Sequence, residues 1–367
     1  MPSTRRSFLL SAPSALAARS AVGGNDAVTA GIIGTGLRGN FLLQRALEIP
    51  GARFTYLCDS DPAALDRGLS LAARDRPKGV ADYRKLLEAR DVDAVFIATP
   101  CDLHREMIIA ALEAGKHVYC EKPMAITPED NRAIVDAAKK AKGILQIGFQ
   151  RRYGARHREV VRRMHAGEIG KILFVRGQYY NVNDLPRTMA WKFKRDRFGD
   201  MIVEQAIHQF DVYNWLFQGH PLRACGFGSA NLFVNDPPGR TIMDHYTVSY
   251  EYPGGAHLNF SHMYYAVRGL DGVGDVFYGS KGALDLPRYG AARFFDRAKT
   301  GPASTVDLPE DDTLSTSNAI QSFFGCIREK KQPFSNAEVG RLAALAVIMG
   351  LGAMVEDRIV EWKEVDV

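Results

Sequence analysis

Residues 28–39 read VTAGIIGTGLRG, and no other stretch restricts the fold of this chain as much. The first half is a short run of β-branched and small residues, the composition of a strand buried on both faces. The second half, Gly34-Thr35-Gly36-Leu37-Arg38-Gly39, is a G-x-G-x-x-G. Phe41, Leu42, Leu43, Ala46 and Leu47 follow it at helical spacing. In a strand–turn–helix of this kind the first glycine permits a tight turn. The second lets a pyrophosphate approach the backbone, and the third lets helix and strand pack closely. Such a turn offers unpaired N–H groups and the positive end of a helix dipole to an anion. Twenty residues past Gly39, the run Phe54-Thr55-Tyr56-Leu57-Cys58 ends in Asp59, where a dinucleotide fold needs an acid for the adenosine ribose. The pattern predicts an NAD site, because a carboxylate at Asp59 would repel the extra phosphate of NADP.

The next hundred residues alternate strand and helix patterns. Asp61-Pro62 opens a helix through Leu69, with the aspartate as cap and the proline in the first turn. Tyr83, Leu86 and Leu87 mark a helix, and Ala94 to Ala98 is a buried strand closed by Thr99-Pro100. Asp102 is expected to cap a helix through Leu112 that stops at Gly115. His117 to Cys120 is a strand, Pro128 to Lys142 a helix and Ile144 to Gly148 a strand. Strands separated by helices predict a doubly wound parallel sheet, an α/β Rossmann domain over 28–150. Ligands of such sheets sit beyond the carboxyl ends of the strands. Thr99, Pro100, His104, Glu121, Lys122 and Gln150 fall on that edge. With Gly34, Gly36, Leu37, Arg38, Gly39 and Asp59 they make the expected cofactor-binding set.

Residues 95–124, VFIATPCDLHREMIIAALEAGKHVYCEKPM, closely resemble the signature of the glucose–fructose oxidoreductase, inositol dehydrogenase and MocA-like family. Thr99-Pro100, His104, residues 114–118 and Glu121-Lys122-Pro123 carry the match, which with the Gly34 turn spans the whole first domain. The resemblance implies a second α/β domain, here residues 151–367, with a large open, mostly antiparallel sheet whose face packs in homo-oligomers. It also implies hydride transfer between nicotinamide and a hydroxyl-bearing carbon of a sugar or cyclitol.

Oxidising an alcohol needs a base for the hydroxyl proton. Lysine, with an ordinary pKa of ~10.4, serves only if its surroundings favour the neutral form. Burial and the positive charge of oxidised nicotinamide would both do so at Lys122; the bland reading is a surface lysine paired with Glu121. Further on, Ile202, Ala206, Phe210 and Tyr213 recur at helical spacing. Glu204 and His208, four apart, are then expected on one helix face, with Asp211 within reach of it. Family members carry an acid and a histidine at this spacing. By that analogy His208 would hydrogen-bond the reacting hydroxyl and Glu204 would hold a neighbouring one. Two positions depart from the family pattern: Glu204 stands where aspartate is usual, and Ala206 where glycine is usual. A rival reading on the same resemblance is a glycoside hydrolase that oxidises its sugar transiently with bound NAD, although those relatives generally lack the Glu-Lys-Pro lysine.

The remainder of the chain is less specific. Residues 181–198 are polar, basic and aromatic, readable as a carbohydrate lid carrying Trp191 or as a surface loop. Strands are expected at 172–180, 224–233, 241–252, 256–264, 273–278 and 282–286, with turns at Tyr252-Pro253-Gly254-Gly255 and Gly279-Ser280-Lys281. Helices are expected at 153–167, 314–330 and 337–355. The arginines at 151, 152, 156, 158, 162 and 163 read as a solvated helix face. A net charge of +5 among 367 residues is too mild to imply nucleic acid. The five cysteines are scattered without a C-x-x-C pair and the nine histidines form no ligand set, so no metal is expected. Thr4-Arg5-Arg6-Ser7-Phe8-Leu9-Leu10, followed by a small apolar stretch to Ala17, resembles a twin-arginine export signal within a leader of residues 1–27. A disordered basic start on a cytoplasmic protein is the alternative. Export would place the enzyme where free NAD is scarce and favour a retained cofactor. No eighteen-residue apolar run follows the leader, so no membrane span is expected.

Overall fold

The computed structural model describes residues 27–367 apart from 271 and 309–311, and for 312 and 313 the backbone alone. Residues 1–26 of the expected leader, with its arginine pair, lie outside the described residues. The first sheet is built from β1 (Val28–Ile33), β2 (Ala52–Cys58), β3 (Lys78–Val80), β4 (Ala94–Ile97), β5 (His117–Cys120) and β6 (Leu145–Ile147). Their order is β3-β2-β1-β4-β5-β6, parallel throughout. The order reverses between β1 and β4, and that switch point opens a crevice at the carboxyl ends of the two strands. Between the strands run α1 (Leu37–Leu47), α2 (Pro62–Leu71), α3 (Tyr83–Leu87), α4 (His104–Glu113) and α5 (Pro128–Lys140).

The local chemistry follows the sequence at most joints. Asp61 caps α2 by accepting from the Ala63 N–H, with Pro62 as its first residue, and Gly115 ends α4 with φ +76°. Asp102 does not cap α4. Residues Cys101–Leu103 form a 3₁₀ turn, the helix starts at His104, and the Asp102 carboxylate is drawn to Arg197 at 3.0 Å. An ion pair across the molecule has displaced the local cap.

After α6 (Ala155–His165) the second sheet begins with β7 (Ile172–Tyr180). α7 (Arg195–Phe198) and α8 (Ile207–Phe217) come next, and then β8 (Arg223–Ser229), β9 (His245–Tyr252), β10 (Ala256–Met263), β11 (Val273–Gly279), β12 (Gly282–Pro287), β13 (Ala292–Asp296) and β14 (Ser304–Val306). The chain closes with α9 (Asp312–Glu329), α10 (Ala337–Glu356), β15 (Val360–Glu361) and α11 (Trp362–Val365). The strand order is β14-β13-β12-β11-β7-β10-β9-β8-β15. Only the β7–β10 pair is parallel, so the sheet is the open, mostly antiparallel one expected, and both anticipated hairpins form.

The tail does not stay with the second sheet. Phe323 and Phe324 of α9 are fully buried against Phe96 and Tyr119 of β4 and β5, with ring centroids 5.5 to 5.8 Å apart. Gln146 of β6 donates to the Ala319 carbonyl at 2.8 Å. One face of the first sheet is thus roofed by a helix from the far end of the chain. α10 is long and apolar enough by composition to cross a membrane. It packs instead as a core helix, with Gly340 against Met124 and Ile147, and Gly350 beneath the Tyr250 hydroxyl.

The arginine cluster is only partly a solvated face. Arg152 is buried on Asp211 with Nε 2.8 Å from Oδ1. Arg156 is buried and donates to the carbonyls of Pro287 and Gly290. Arg162 and Arg163 do remain outside, clamped on Glu159. Cys58, Cys101 and Cys120 are buried free thiols behind the strand ends, with Cys58 pushed up to about 12 by burial and by Asp59 and Asp82.

Candidate active site

At the crevice each glycine of the turn has its own steric reason. Gly34 sits at φ +91°, and a Cβ there would come within 2.7 Å of the Ala98 carbonyl oxygen. A Cβ on Gly39 would run into the Gly34 carbonyl oxygen. Nothing lies within 4 Å of the Cβ position of Gly36, which leaves the backbone open to a pyrophosphate. Gly36 begins α1 with no side-chain cap, and Leu37 beside it is 77% exposed, an apolar surface at the mouth for a flat ring or ribose to cover.

Asp59 lies where the adenosine ribose would be held. One oxygen accepts from the Thr35 N–H at 2.7 Å and its hydroxyl at 3.2 Å, the other from the Asp61 N–H at 2.9 Å. Each carboxylate oxygen has about two acceptor sites, so capacity remains for a hydroxyl while the acid also ties down the glycine turn. These features fit a dinucleotide. Gly34, Gly36, Gly39 and Asp59 would cradle it, and Thr99, Pro100, Lys122 and Gln150 would line the nicotinamide end. Gln150 is buried with its Oε1 lacking a partner.

Three members of the expected cofactor set are engaged elsewhere. His104 is fully buried, with Nδ1 2.7 Å from the Pro123 carbonyl and Nε2 3.1 Å from that of Thr99. Burial favours its neutral form, which has one N–H, so the ring donates to one of these two loop carbonyls and packs its other nitrogen against the second. Glu121 is buried under Arg38, whose Nε and Nη2 both reach Oε1 at 2.7 Å. That pair buttresses the glycine turn against the β5 turn.

Glu121 is therefore not the partner of Lys122. Lys122 follows β5 through a cis bond to Pro123, and its Nζ points into the second domain. It donates to the Glu204 carbonyl oxygen at 2.6 Å and meets Glu204 Oε1 at 3.0 Å. Glu204 stands not on a regular α-helix but in a π-helical turn, Ile202–Ala206, which leads into α8. Such wider turns recur at functional sites, and here backbone and side chain of one residue both reach the lysine. The longer arm of glutamate spans from this turn to a second cation as well, Lys192 Nζ at 3.5 Å. Burial would raise the Glu204 carboxyl, but the two lysines outweigh it and hold it down at about 2. Glu204 is thus an ionised counter-charge to two lysines, where the sequence had suggested a free ligand for a substrate hydroxyl.

His208 opens α8 on the same side. Its Nδ1 is buried without a hydrogen-bond partner, and its ring stands edge-on to Phe149 at 6.5 Å. Burial, then the charges of Lys122, Arg151, Arg38 and Arg288, hold the ring well below its usual range, so it is neutral near pH 7. Asp211 turns away from this face to Arg152. Among the described residues, no three His, Cys, Asp or Glu side chains gather to hold a metal.

The 181–198 segment is a braced strap. Arg240 binds Asp184 at 2.8 Å, Arg187 binds Asp236 at 3.0 Å, Arg195 binds Asp200 at 3.0 Å, and Arg197 reaches Asp102 across the domains at 3.0 Å. Trp191 lies edge-on to Phe198 at 5.9 Å, and Lys192, next in sequence, is the site residue that sequence reasoning passed over. It was visible only as one of several basic residues in the segment, and no spacing rule connects it to Glu204.

Comparison with known proteins agrees with this geometry. Residues 28–149 match the oxidoreductase family with an NAD-binding Rossmann fold, and residues 157–285 match the GFO/IDH/MocA C-terminal domain. The chain is 30% identical over 302 residues to the inositol 2-dehydrogenase of Salmonella typhimurium, covering 80% of this chain and 84% of that one. Among solved structures, levoglucosan dehydrogenase in complex with NADH and levoglucosan superposes with a TM-score of 0.79 at 21% identity, over 91% of this chain and 99% of that one. An oxidoreductase domain protein from Kribbella flavida gives 0.82 at 22% identity, over 91% and 99%. At those identities the structural likeness concerns the fold alone. A Rossmann domain with this turn, joined to this second sheet, places the chain in the GFO/IDH/MocA family of NAD-binding oxidoreductases.

Proposed function

We propose that this enzyme moves a hydride between NAD and a hydroxyl-bearing carbon of a sugar or polyol, with Lys122 handling the proton. The observation that carries the reading is the pair of bonds from Lys122 Nζ to Glu204, at the carboxyl edge of the NAD-binding sheet. Bound NAD supplies the hydride acceptor or donor; the side chains supply position and proton transfer. An amine nitrogen has four tetrahedral directions. One is the bond to Cε, and two are spent donating to the Glu204 carbonyl and carboxylate oxygens. The fourth is left for the substrate hydroxyl, as a lone pair when the amine is neutral and as a proton after transfer. Lys122 can therefore take the hydroxyl proton without giving up either anchor. His208, held neutral, would hydrogen-bond the same hydroxyl, and the ionised Glu204 orients the amine.

Inositol 2-dehydrogenase, 30% identical over four fifths of the chain, supports a cyclitol or sugar as substrate. The same fold occurs in levoglucosan dehydrogenase, solved in complex with NADH and levoglucosan. A glycoside hydrolase is not favoured, since Lys122 stands anchored in the site and the relatives named above are dehydrogenases or oxidoreductases. The test is a panel of cyclitols, anhydrosugars and aldoses mixed with the NAD-loaded protein while nicotinamide absorbance is followed. Reduction of NAD by at least one of them is expected; aglycone release from chromogenic glycosides with no NAD turnover would overturn the reading.

Two further elements belong to the same proposal. Arg5-Arg6 and the apolar stretch to Ala17 support export by the twin-arginine route. A protein exported that way would retain NAD and balance each oxidation with a reduction in the same site. Residues 1–27 fused to a reporter should then carry it to the periplasm, and Arg5→Lys with Arg6→Lys should stop it. The second sheet also presents Leu173, Phe174, Tyr278 and Phe295 exposed, an apolar face that supports a homo-oligomer, checked by light scattering.

A further inference from the structure

Glu204 Oε1 is shared by two ammonium groups, Lys122 at 3.0 Å and Lys192 at 3.5 Å. Lys192 comes from the braced strap, not from the family motif, and its Nζ is held 5.4 Å from the Trp191 ring and 5.5 Å from that of Phe198. Both lysine side chains are mostly buried, so this arrangement is fixed by packing. We propose that Lys192 is a positioning residue for the reaction: by sharing the Glu204 carboxylate it keeps that charge from binding the Lys122 proton too tightly, and so sets the pH at which Lys122 becomes a base. This rests on the role given to Lys122 above.

Two nitrogens 3.0 and 3.5 Å from one oxygen are at most 6.5 Å apart. Unit charges at that range, at an effective dielectric of ~20, change each other's proton balance by roughly two pH units before solvent screening. Other charged and titratable groups face the same cluster: Arg38 acts on Glu204 from α1, Arg151 and Arg288 act on His208, and buried His262 and Tyr264 feel Glu204 from β10 and the residue after it. Glu204 faces Lys122 from the π turn, Cys101 from the turn after β4, and neutral His208 from the start of α8. On its own side of the cleft, Glu121 is taken by Arg38, and buried His104, held toward its neutral form, lies between two carbonyls. Lys122 and Lys192 are the two cations paired directly with the Glu204 carboxylate, while Arg38 acts on it from beyond its own pair with Glu121, so Lys192 is the contact placed to divide the Glu204 charge with Lys122. The glutamate arm makes this possible, since from the π turn one carboxylate oxygen reaches both amines.

The test is competitive acetylation with trace acetic anhydride across pH, on free and NAD-saturated protein, reading the Lys122 peptide by mass spectrometry. This follows Lys122 reactivity without any substrate. In Lys192→Met the midpoint of Lys122 labelling should move up by about one pH unit; in Lys192→Arg, which keeps the charge, it should stay at the parental value. Where turnover is measured, the acidic limb of kcat/KM should move with it. An unchanged midpoint in a folded, NAD-binding Lys192→Met would overturn the proposal, as would a shift in Lys192→Arg as large as in Lys192→Met, which would point to packing against Trp191 and Phe198 instead. A moved midpoint in a protein that reduces NAD with no polyol would remove the proposed activity but leave the charge sharing. Normal turnover with an unmoved midpoint would do the reverse.

Discussion

Asp275 shows how this protein treats a buried charge away from the reaction. The carboxyl lies under β11, accepting from the Tyr213 hydroxyl and from Gln209 Nε2 at 2.8 Å. Burial raises it to about 6, against hydrogen bonds and Arg151 that pull the other way. The folded form thus holds the proton above the unfolded carboxyl value of ~3.9. Its stabilising contribution is complete below that value and is lost as pH rises through about 6. Asp275→Asn keeps an acceptor for both donors and removes the ionisation. It should stabilise the protein at pH 8 by about 1–2 kcal/mol and leave pH 4 nearly unchanged, read from melting curves at both. Asp59 is a different case, since its carboxylate faces the cofactor and also binds Thr35. Asp59→Ala should weaken NAD about tenfold or more and narrow the preference over NADP, checked by titrating both nucleotides.

The elements of the first domain were legible because each carries its period and its punctuation: the apolar run of β1, the Asp61-Pro62 start of α2, the Gly115 stop of α4. β3 was not, being an edge strand of Lys78, Gly79 and Val80 with no buried side chain to give it a pattern. The recurrence of Ile202, Ala206 and Phe210 predicts plain helix where the structure has a π turn at Ile202–Ala206, because one extra residue in a turn does not disturb that spacing enough to show. Within the site, Gly34, Gly36, Gly39 and Asp59 could be placed from local motif chemistry, and Lys122 from the resemblance of its Glu-Lys-Pro turn. The Arg38–Glu121 buttress, the Asp102–Arg197 link and the Lys192–Glu204 pair join side chains that only the folded backbone brings together. α9 is the clearest long-range case, roofing β4 and β5 from the other end of the chain. Phe323→Ala should cost about 3–5 kcal/mol in denaturant unfolding and loosen NAD binding, although Phe323 lies far from the nucleotide turn in sequence.

For the whole molecule, the crevice at the β1–β4 switch point belongs to the NAD-binding sheet, while Glu204, His208 and Lys192 reach toward it from the second domain. Lys122 bridges the two, rooted behind β5 and bonded to the π turn before α8. That bridge is the centre of the account. The most direct measurement is a single-turnover mixing experiment with NAD-loaded parent and Lys122→Ala, using a polyol the parent oxidises and following nicotinamide absorbance. The account predicts nearly intact NAD binding in the variant and hydride transfer slower by ~10²-fold or more. Transfer at the parental rate in Lys122→Ala, with NAD bound as tightly, would contradict it.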